Sequence, residues 1–490
     1  MTADQASMGC RHIRASGYNG DVGGGSSDRG GYRLVSVVGR TSRAGAVQVD
    51  IDGVAVARST AGLVNADLNR LAPEDRPVHQ WYRFVLSYPP HLVRTYLQRF
   101  GLAAADMVLD PFCGTGTTVV ECRKQGVRSV GVEANPMAHF AGRTKVDWSP
   151  DPDGLRRHAA IVAESVLQRL RSEGIDDSPS VAARTVVPAS LRALPDDRTA
   201  LLLTDSISPL PLHKTLTLIN CLDRLGDQRY AAYERLALAK ALVFGISNLQ
   251  FGPEVGVGPP KADAPVVRTW LAGVHAMADD LAAVRAAPGV QANVYLGDAR
   301  RVVPLLEPRS VSAVITSPPY PNEKDYTRTT RLESVLLDFI ETKGDLRALK
   351  RSLVRSNTRG VYKEDDDDRW VAEHPEIQRV AQAIEARRLE LGKTSGFERM
   401  YARVTKLYFG GMARHLADLR AVLRPGARLA YVVGDQASYL RVMIRTGQIL
   451  ADIATSLGYE LESLDLFRTR LATATREQLR EEVVVLRWPG

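Results

Sequence analysis

The sequence predicts a doubly wound α/β fold with a mostly helical insertion. Three observations predict it. A short apolar strand, Met107-Val108-Leu109, runs through a glycine-rich turn into a helix (Val119 to Gly126) and a second strand, Val130-Gly131-Val132. Strand-like runs return much later, at Val294-Tyr295-Leu296, Ala313-Val314-Ile315, Leu429 to Val433, Leu461–Phe467 and Glu482–Arg487. Between the two sets, from about 150 to 290, helical periodicity takes over, as in Leu155–Arg171, Tyr230–Asn248 and Val267–Ala286.

In chain order, residues 1–32 are rich in Gly, Ser, Asp and Arg and bury too little apolar surface to order, so a disordered segment is expected. Residues 33–149 open with short alternating stretches such as Val47-Gln48-Val49-Asp50-Ile51, which suit a small hairpin. His91 to Phe100 then reads as a helix. Leu92, Val93, Tyr96 and Leu97 share one of its faces, and Pro89-Pro90 precede its start. The insertion at 150–290 is broken by a Gly/Pro-rich loop, Phe251 to Pro260. Residues 291–490 resume the α/β pattern around a highly charged stretch, 341–400, in which Asp365 to Asp368 read as a solvated loop turned away from any polyanion.

The bulk properties bound the function. A chain of 490 residues, 44% hydrophobic, supports one large core or two ordinary ones. A net charge of +8 suits a polyanionic partner, although an arginine-rich solvated surface gives the same number. Cys10, Cys113, Cys122 and Cys221 lack Cys-x-x-Cys spacing, which argues against a disulfide framework and a structural zinc site. His79 and His139 have no ligand spacing either, so no metal is expected. No apolar run is long enough to span a membrane and no signal-peptide core is present, so a cytoplasmic location is expected.

Two loops carry chemistry. The first, Asp110-Pro111-Phe112-Cys113-Gly114-Thr115-Gly116-Thr117-Thr118, lies between a strand and a helix. Its glycines allow positive φ and close approach of a ligand, and the helix start offers free N–H groups. A dinucleotide site and a plain tight turn both fit the loop taken alone. Glu133 ends the next strand, where an acidic side chain accepts from two ribose hydroxyls. Asp298, at the tip of a neighbouring strand, could accept from an adenine amino group or cap the helix that follows it. The second loop, Thr316-Ser317-Pro318-Pro319-Tyr320, also leaves a strand end. Its prolines hold an extended, rigid backbone, so that a side chain and a carbonyl can both accept from one amino group, while Tyr320 offers a stacking face. After it, Asn322, Lys324, Asp325, Tyr326 and Arg328 read equally as phosphate contacts or as a solvated loop. Cys113 reads as a small buried filler.

Asp110–Thr118 together with Ser317-Pro318-Pro319-Tyr320 resembles the cofactor motif and catalytic tetrapeptide of the amino-methylating DNA methyltransferases. The resemblance covers roughly 79–148, 291–335 and 405–490. It implies a Rossmann-like seven-stranded S-adenosylmethionine methyltransferase sheet and S-adenosyl-L-methionine as cofactor. It also implies that Asp110, Phe112, Gly114, Gly116 and Thr117 line the methionine side, with Glu133 on the ribose and Asp298 on the adenine. Ser317, Pro318, Pro319 and Tyr320 would hold the target base, and His79 through Pro90 would help cover the cofactor. The insertion falls between Glu133 and Asp298, an unusual place for a target-recognition domain, so that role stays open; its many arginines (Arg156, Arg157, Arg169, Arg171, Arg184, Arg192) make it the expected DNA-contacting region.

Methyl transfer to an exocyclic amine needs positioning and electrostatics rather than a covalent adduct. Ring-carbon methylation would need a cysteine nucleophile, and Cys113 inside the cofactor loop is poorly placed for it. In the resembling family serine at the head of the tetrapeptide often accompanies cytosine N4 methylation and aspartate or asparagine adenine N6, so the resemblance implies cytosine N4 over adenine N6. DNA is the expected partner, and a cognate restriction or defence-system protein is left open. An RNA or protein amine methyltransferase on the same fold is the first alternative. A non-catalytic nucleic-acid-binding protein is the second.

Overall fold

The computed structural model describes residues 71–83, 87–178, 190–251, 254–285, 289–471 and 478–490, and the readings made for 1–32 and 33–58 lie outside the described residues. The described residues form nine strands: β1 (Met107–Asp110), β2 (Arg128–Glu133), β3 (Leu249–Phe251), β4 (Val255–Val257), β5 (Ala292–Leu296), β6 (Val311–Thr316), β7 (Leu423–Gly434), β8 (Glu460–Leu471) and β9 (Gln478–Arg487). Seven of them make one sheet in the order β5-β2-β1-β6-β7-β9-β8. β1 pairs in parallel with β2 and β6, β2 with β5, and β6 with β7, while β9 runs antiparallel to β7 and β8. This is the α/β sheet that the sequence predicts.

Side chains alternate across the sheet, as the pleat requires. Val108, Ile315, Ala430, Val432, Val483 and Val485 face the helix Pro90–Arg99 through its Leu92, Val93, Tyr96 and Leu97. Their neighbours Leu109, Val314, Leu429, Tyr431, Val484 and Leu486 face the other way, against the helices Tyr401–Leu419 and Thr446–Ser456.

From β1 the chain steps outward to β2 and β5, then crosses back to β6 on the far side of β1. The strand order therefore reverses between β1 and β6, and the loops leaving their carboxyl ends diverge around a crevice. Both motif loops leave from there.

The insertion packs the helices Pro152–Ser172, Pro209–Leu225, Ala231–Ala241 and Val266–Val284 around Trp270 and Tyr233. Its core is continuous with Val119, Val120, Met137 and Ala141 from the helices after β1 and β2. Two details differ from the sequence reading. The helix expected to reach Asn248 passes into a π turn at Leu242–Ile246, and part of the expected Gly/Pro loop forms the antiparallel hairpin β3–β4. Gly and Pro mark turns well, but they do not show that the residues between them pair. None of the helices among the described residues is long and apolar enough to cross a membrane.

Candidate active site

The loop after β1 is shaped by two left-handed glycines, Gly114 (φ 53°) and Gly116 (φ 91°). A side chain is strained at either position. A Cβ on Gly116 would also lie 3.2 Å from the Cα of Gly142, so this glycine lets two helices approach. Gly114 opens onto free space, and its N–H donates to Glu133 Oε2 at 2.7 Å. The N–H of Asn135 donates to Glu133 Oε1 at 2.7 Å. Two backbone donors thus fix the carboxylate at the end of β2. Burial pushes its pKa up to about 7.

Asp110 is fully buried beneath the loop. It accepts from Thr316 Oγ1 (2.6 Å), Tyr88 Oη (3.1 Å) and the Phe112 N–H (3.2 Å). Burial raises its pKa to about 6, against the pull of these donors. The Thr316 bond joins the tips of β1 and β6, and Thr118 Oγ1 adds a second tie by donating to the Ile315 carbonyl at 3.0 Å. The two motif loops are therefore held in one register by side chains of the motifs themselves.

In the second loop, Ser317 Oγ donates its proton to the Val432 carbonyl at 3.0 Å. The oxygen is left as an acceptor toward the crevice. The Tyr320 ring lies on Gly434 at the end of β7, where a Cβ would stand 3.1 Å from its Cε2. Burial, with the charge of Glu481, raises the Tyr320 phenol above its ordinary range, so it stays neutral.

These loops wall one cavity of about 450 Å³. Phe112, Gly114, Thr117, Glu133, Ser317, Pro318, Pro319 and Tyr320 line it, with Tyr88 from the covering segment. Asp110 and Gly116 support the wall from behind. Asp298 does not reach it. Arg300 folds back two residues and takes both Asp298 oxygens (Nε to Oδ1 3.0 Å, Nη2 to Oδ2 2.7 Å), leaving Ala299 as the lining residue at that strand tip. The acidic run also departs from its reading as a solvated loop. Asp367 is buried and binds Arg300 (2.6 Å) and Arg414 (3.1 Å), and Asp365 binds Arg355 (2.7 Å). Spacing along the chain cannot show cations that arrive from distant segments. Cys113 is buried against Gly131, as a filler would be.

The comparisons with known proteins agree with this geometry. The family described as DNA methylase (N6_N4_Mtase) matches residues 74–140, which hold the covering segment, the cofactor loop and Glu133. The Type II methyltransferase M.BsoBI of Geobacillus stearothermophilus is 24% identical over 451 residues, 85% of each chain. The Type II methyltransferase M.AvaI of Nostoc sp. is 22% identical over 447 residues, 85% of this chain and 88% of its own.

The chain is similar to the amino-methylating DNA methyltransferase family.

A tRNA (guanine(10)-N2)-dimethyltransferase of Methanothermobacter thermautotrophicus is similar over a shorter stretch, 34% identical over 125 residues, 26% of this chain and 32% of its own. Sequence reasoning missed several residues of the cavity in this chain: Lys350, Arg355 and Asn357 on the segment after β6, Gln436 after β7, and Arg468, Arg470 and Glu481 on β8 and β9. They lie in no motif. The one available signal was their position at strand ends or in the charged stretch beyond the tetrapeptide.

Proposed function

We propose that this chain transfers a methyl group from S-adenosyl-L-methionine to an exocyclic amino nitrogen of a base in DNA, with cytosine N4 favoured over adenine N6. One observation carries the reading: the Asp110–Thr118 loop and the Ser317–Tyr320 loop open into the same cavity, tied by the Thr316–Asp110 bond. The names of M.BsoBI and M.AvaI support the DNA substrate.

The residues present fit the cofactor. The Glu133 carboxylate faces the cavity with its orientation already fixed, and the space over Gly114 is open. Glu133 would take the ribose hydroxyls, while Phe112, Gly114 and Thr117 would line the methionine side. S-adenosylmethionine, when bound, supplies a methyl group activated by the sulfonium. The chain supplies placement. Ser317 Oγ and the Pro318 carbonyl accept the two amine hydrogens, which draws the nitrogen lone pair out of conjugation with the ring. Tyr320 stacks on the extruded base. The cytosine preference rests on resemblance, since in the similar family serine at this place often accompanies cytosine N4, and aspartate or asparagine adenine N6; either side chain could hold either amine.

Methyl transfer from labelled S-adenosylmethionine to duplex DNA, tRNA and protein tests the reading. Label in DNA that disappears in Ser317→Ala is expected. Label in tRNA alone would replace DNA by RNA, the outcome that the shorter tRNA-methyltransferase likeness favours. Cofactor binding without transfer to any of the three would favour a non-catalytic role.

A further inference from the structure

Of the five cations among the described residues that line the cavity, Lys324, Arg468 and Arg470 share Glu481 as a neighbour, and none belongs to a motif. Arg468 and Arg470 are two residues apart on β8 and so share a face. Glu481 is the register partner of Arg468 on β9. Its carboxylate takes Arg468 Nε at 2.6 Å and Arg470 Nε at 3.4 Å. Glu481 also touches the floor under Tyr320, since a Cβ on Gly434 would meet Glu481 Cγ at 3.2 Å and Tyr320 Cε2 at 3.1 Å. The cluster is thus within a side chain's width of the stacking ring. The Arg470 side chain is 40% exposed and that of Arg468 19%, so both reach solvent from the cavity wall. Lys324 makes no ion pair among the described residues. Burial and the neighbouring charge of Arg470 lower its pKa, and Glu254 of the β3–β4 hairpin and Glu481 oppose them.

A base turned into this cavity brings its own phosphodiester to the rim. The base is neutral and suits the floor; the phosphate is a monoanion and suits a cluster in which guanidinium and ammonium groups outnumber the carboxylate they touch. We propose that Lys324, Arg468 and Arg470 seat the backbone phosphate of the target nucleotide, with Glu481 holding the arginines oriented until DNA displaces it. The proposal rests on the reading of the chain as a DNA methyltransferase and names how that site grips its substrate.

Equilibrium binding of a duplex oligonucleotide across a salt series tests it. Removing one phosphate contact lowers the slope of log affinity against log salt by about 1. Arg470→Ala and Lys324→Ala should each do so while leaving S-adenosylmethionine affinity unchanged, and Arg470→Lys should restore the slope. Glu481→Gln should tighten DNA binding by severalfold. An unchanged slope in folded Arg470→Ala and Lys324→Ala would overturn the clamp, as would loss of S-adenosylmethionine affinity in its place. If the unaltered chain bound no DNA, the substrate reading itself would fail. Binding with an unaltered slope in the variants would sink the clamp alone.

Discussion

Two long segments interrupt the sheet, and they do different work. Residues 150–290, between β2 and β5, form helices whose core runs into that of the cofactor-side helices. Residues 321–404, between β6 and β7, supply Lys324, Lys350, Arg355 and Asn357 to the cavity wall, whereas no residue of 150–290 lines it. Charge points the same way. The insertion holds 15 Lys and Arg against 16 Asp and Glu, so it has no basic surplus. Four of the six arginines that pointed to DNA form ion pairs within the insertion: Arg156 with Asp153 and Asp279, Arg157 with Asp151, Arg169 with Glu173, and Arg171 with Glu164. Arg184 lies outside the described residues. An arginine count therefore says little about DNA contact until its partners are known. The insertion also braces the covering segment, because Asp280 Oδ2 accepts from the Val78 N–H (2.9 Å) and from Trp81 Nε1 (2.8 Å).

The largest effect that separates the two segments is on stability. Trp270 is fully buried at the centre of the insertion, and its indole N–H donates to the Glu234 carbonyl at 2.8 Å. Trp270→Ala should cost ~3–5 kcal/mol in denaturant unfolding, with turnover of the folded fraction within about twofold of the unaltered chain. A variant that stayed stable but lost turnover would place the insertion in the reaction.

On the cavity side, the proposed role of Glu133 means that Glu133→Ala leaves two ribose hydroxyls without a charged acceptor. The loss is ~1.5–3 kcal/mol, a tenfold or greater weakening of S-adenosylmethionine binding by calorimetry. An unchanged affinity in a folded variant would remove Glu133 from the site. Tyr320→Ala should reduce turnover by ~1–3 kcal/mol, the worth of base stacking, while sparing cofactor affinity. The opposite pattern would exchange the two loops' roles.

A smaller effect follows from the raised Glu133 pKa of about 7. Burial favours the protonated form, so the carboxylate is half protonated near pH 7, ionised well above it and lost as pH falls through it. S-adenosylmethionine affinity should therefore decline between about pH 8 and pH 6, and Glu133→Gln should flatten that profile. The smallest effect is the null of the comparison: Arg156→Ala with Arg157→Ala should leave the salt slope of DNA binding unaltered. A flattened slope would restore DNA contact to the insertion.

The sheet was legible because its strands are short apolar runs beside turn residues, and the two loops because their chemistry is contiguous in sequence. Glu133 and Asp298 were both picked out by their place at strand tips; Glu133 lines the cavity, whereas Asp298 is held by Arg300, two residues on, and does not. Asp367 misled because the cations that bury it come from residues 67 and 47 positions away. The Arg468–Arg470–Glu481 cluster depends on the β8–β9 register, which no local pattern reveals.

The central claim is that Ser317 and Tyr320 present a base amino group for methylation. Mass spectrometry of nucleosides from duplex DNA incubated with the protein and S-adenosylmethionine tests it most directly. The account predicts N4-methylcytosine, absent with Ser317→Ala. N6-methyladenine alone would reverse the cytosine preference, and C5-methylcytosine or no methylated nucleoside would contradict the account.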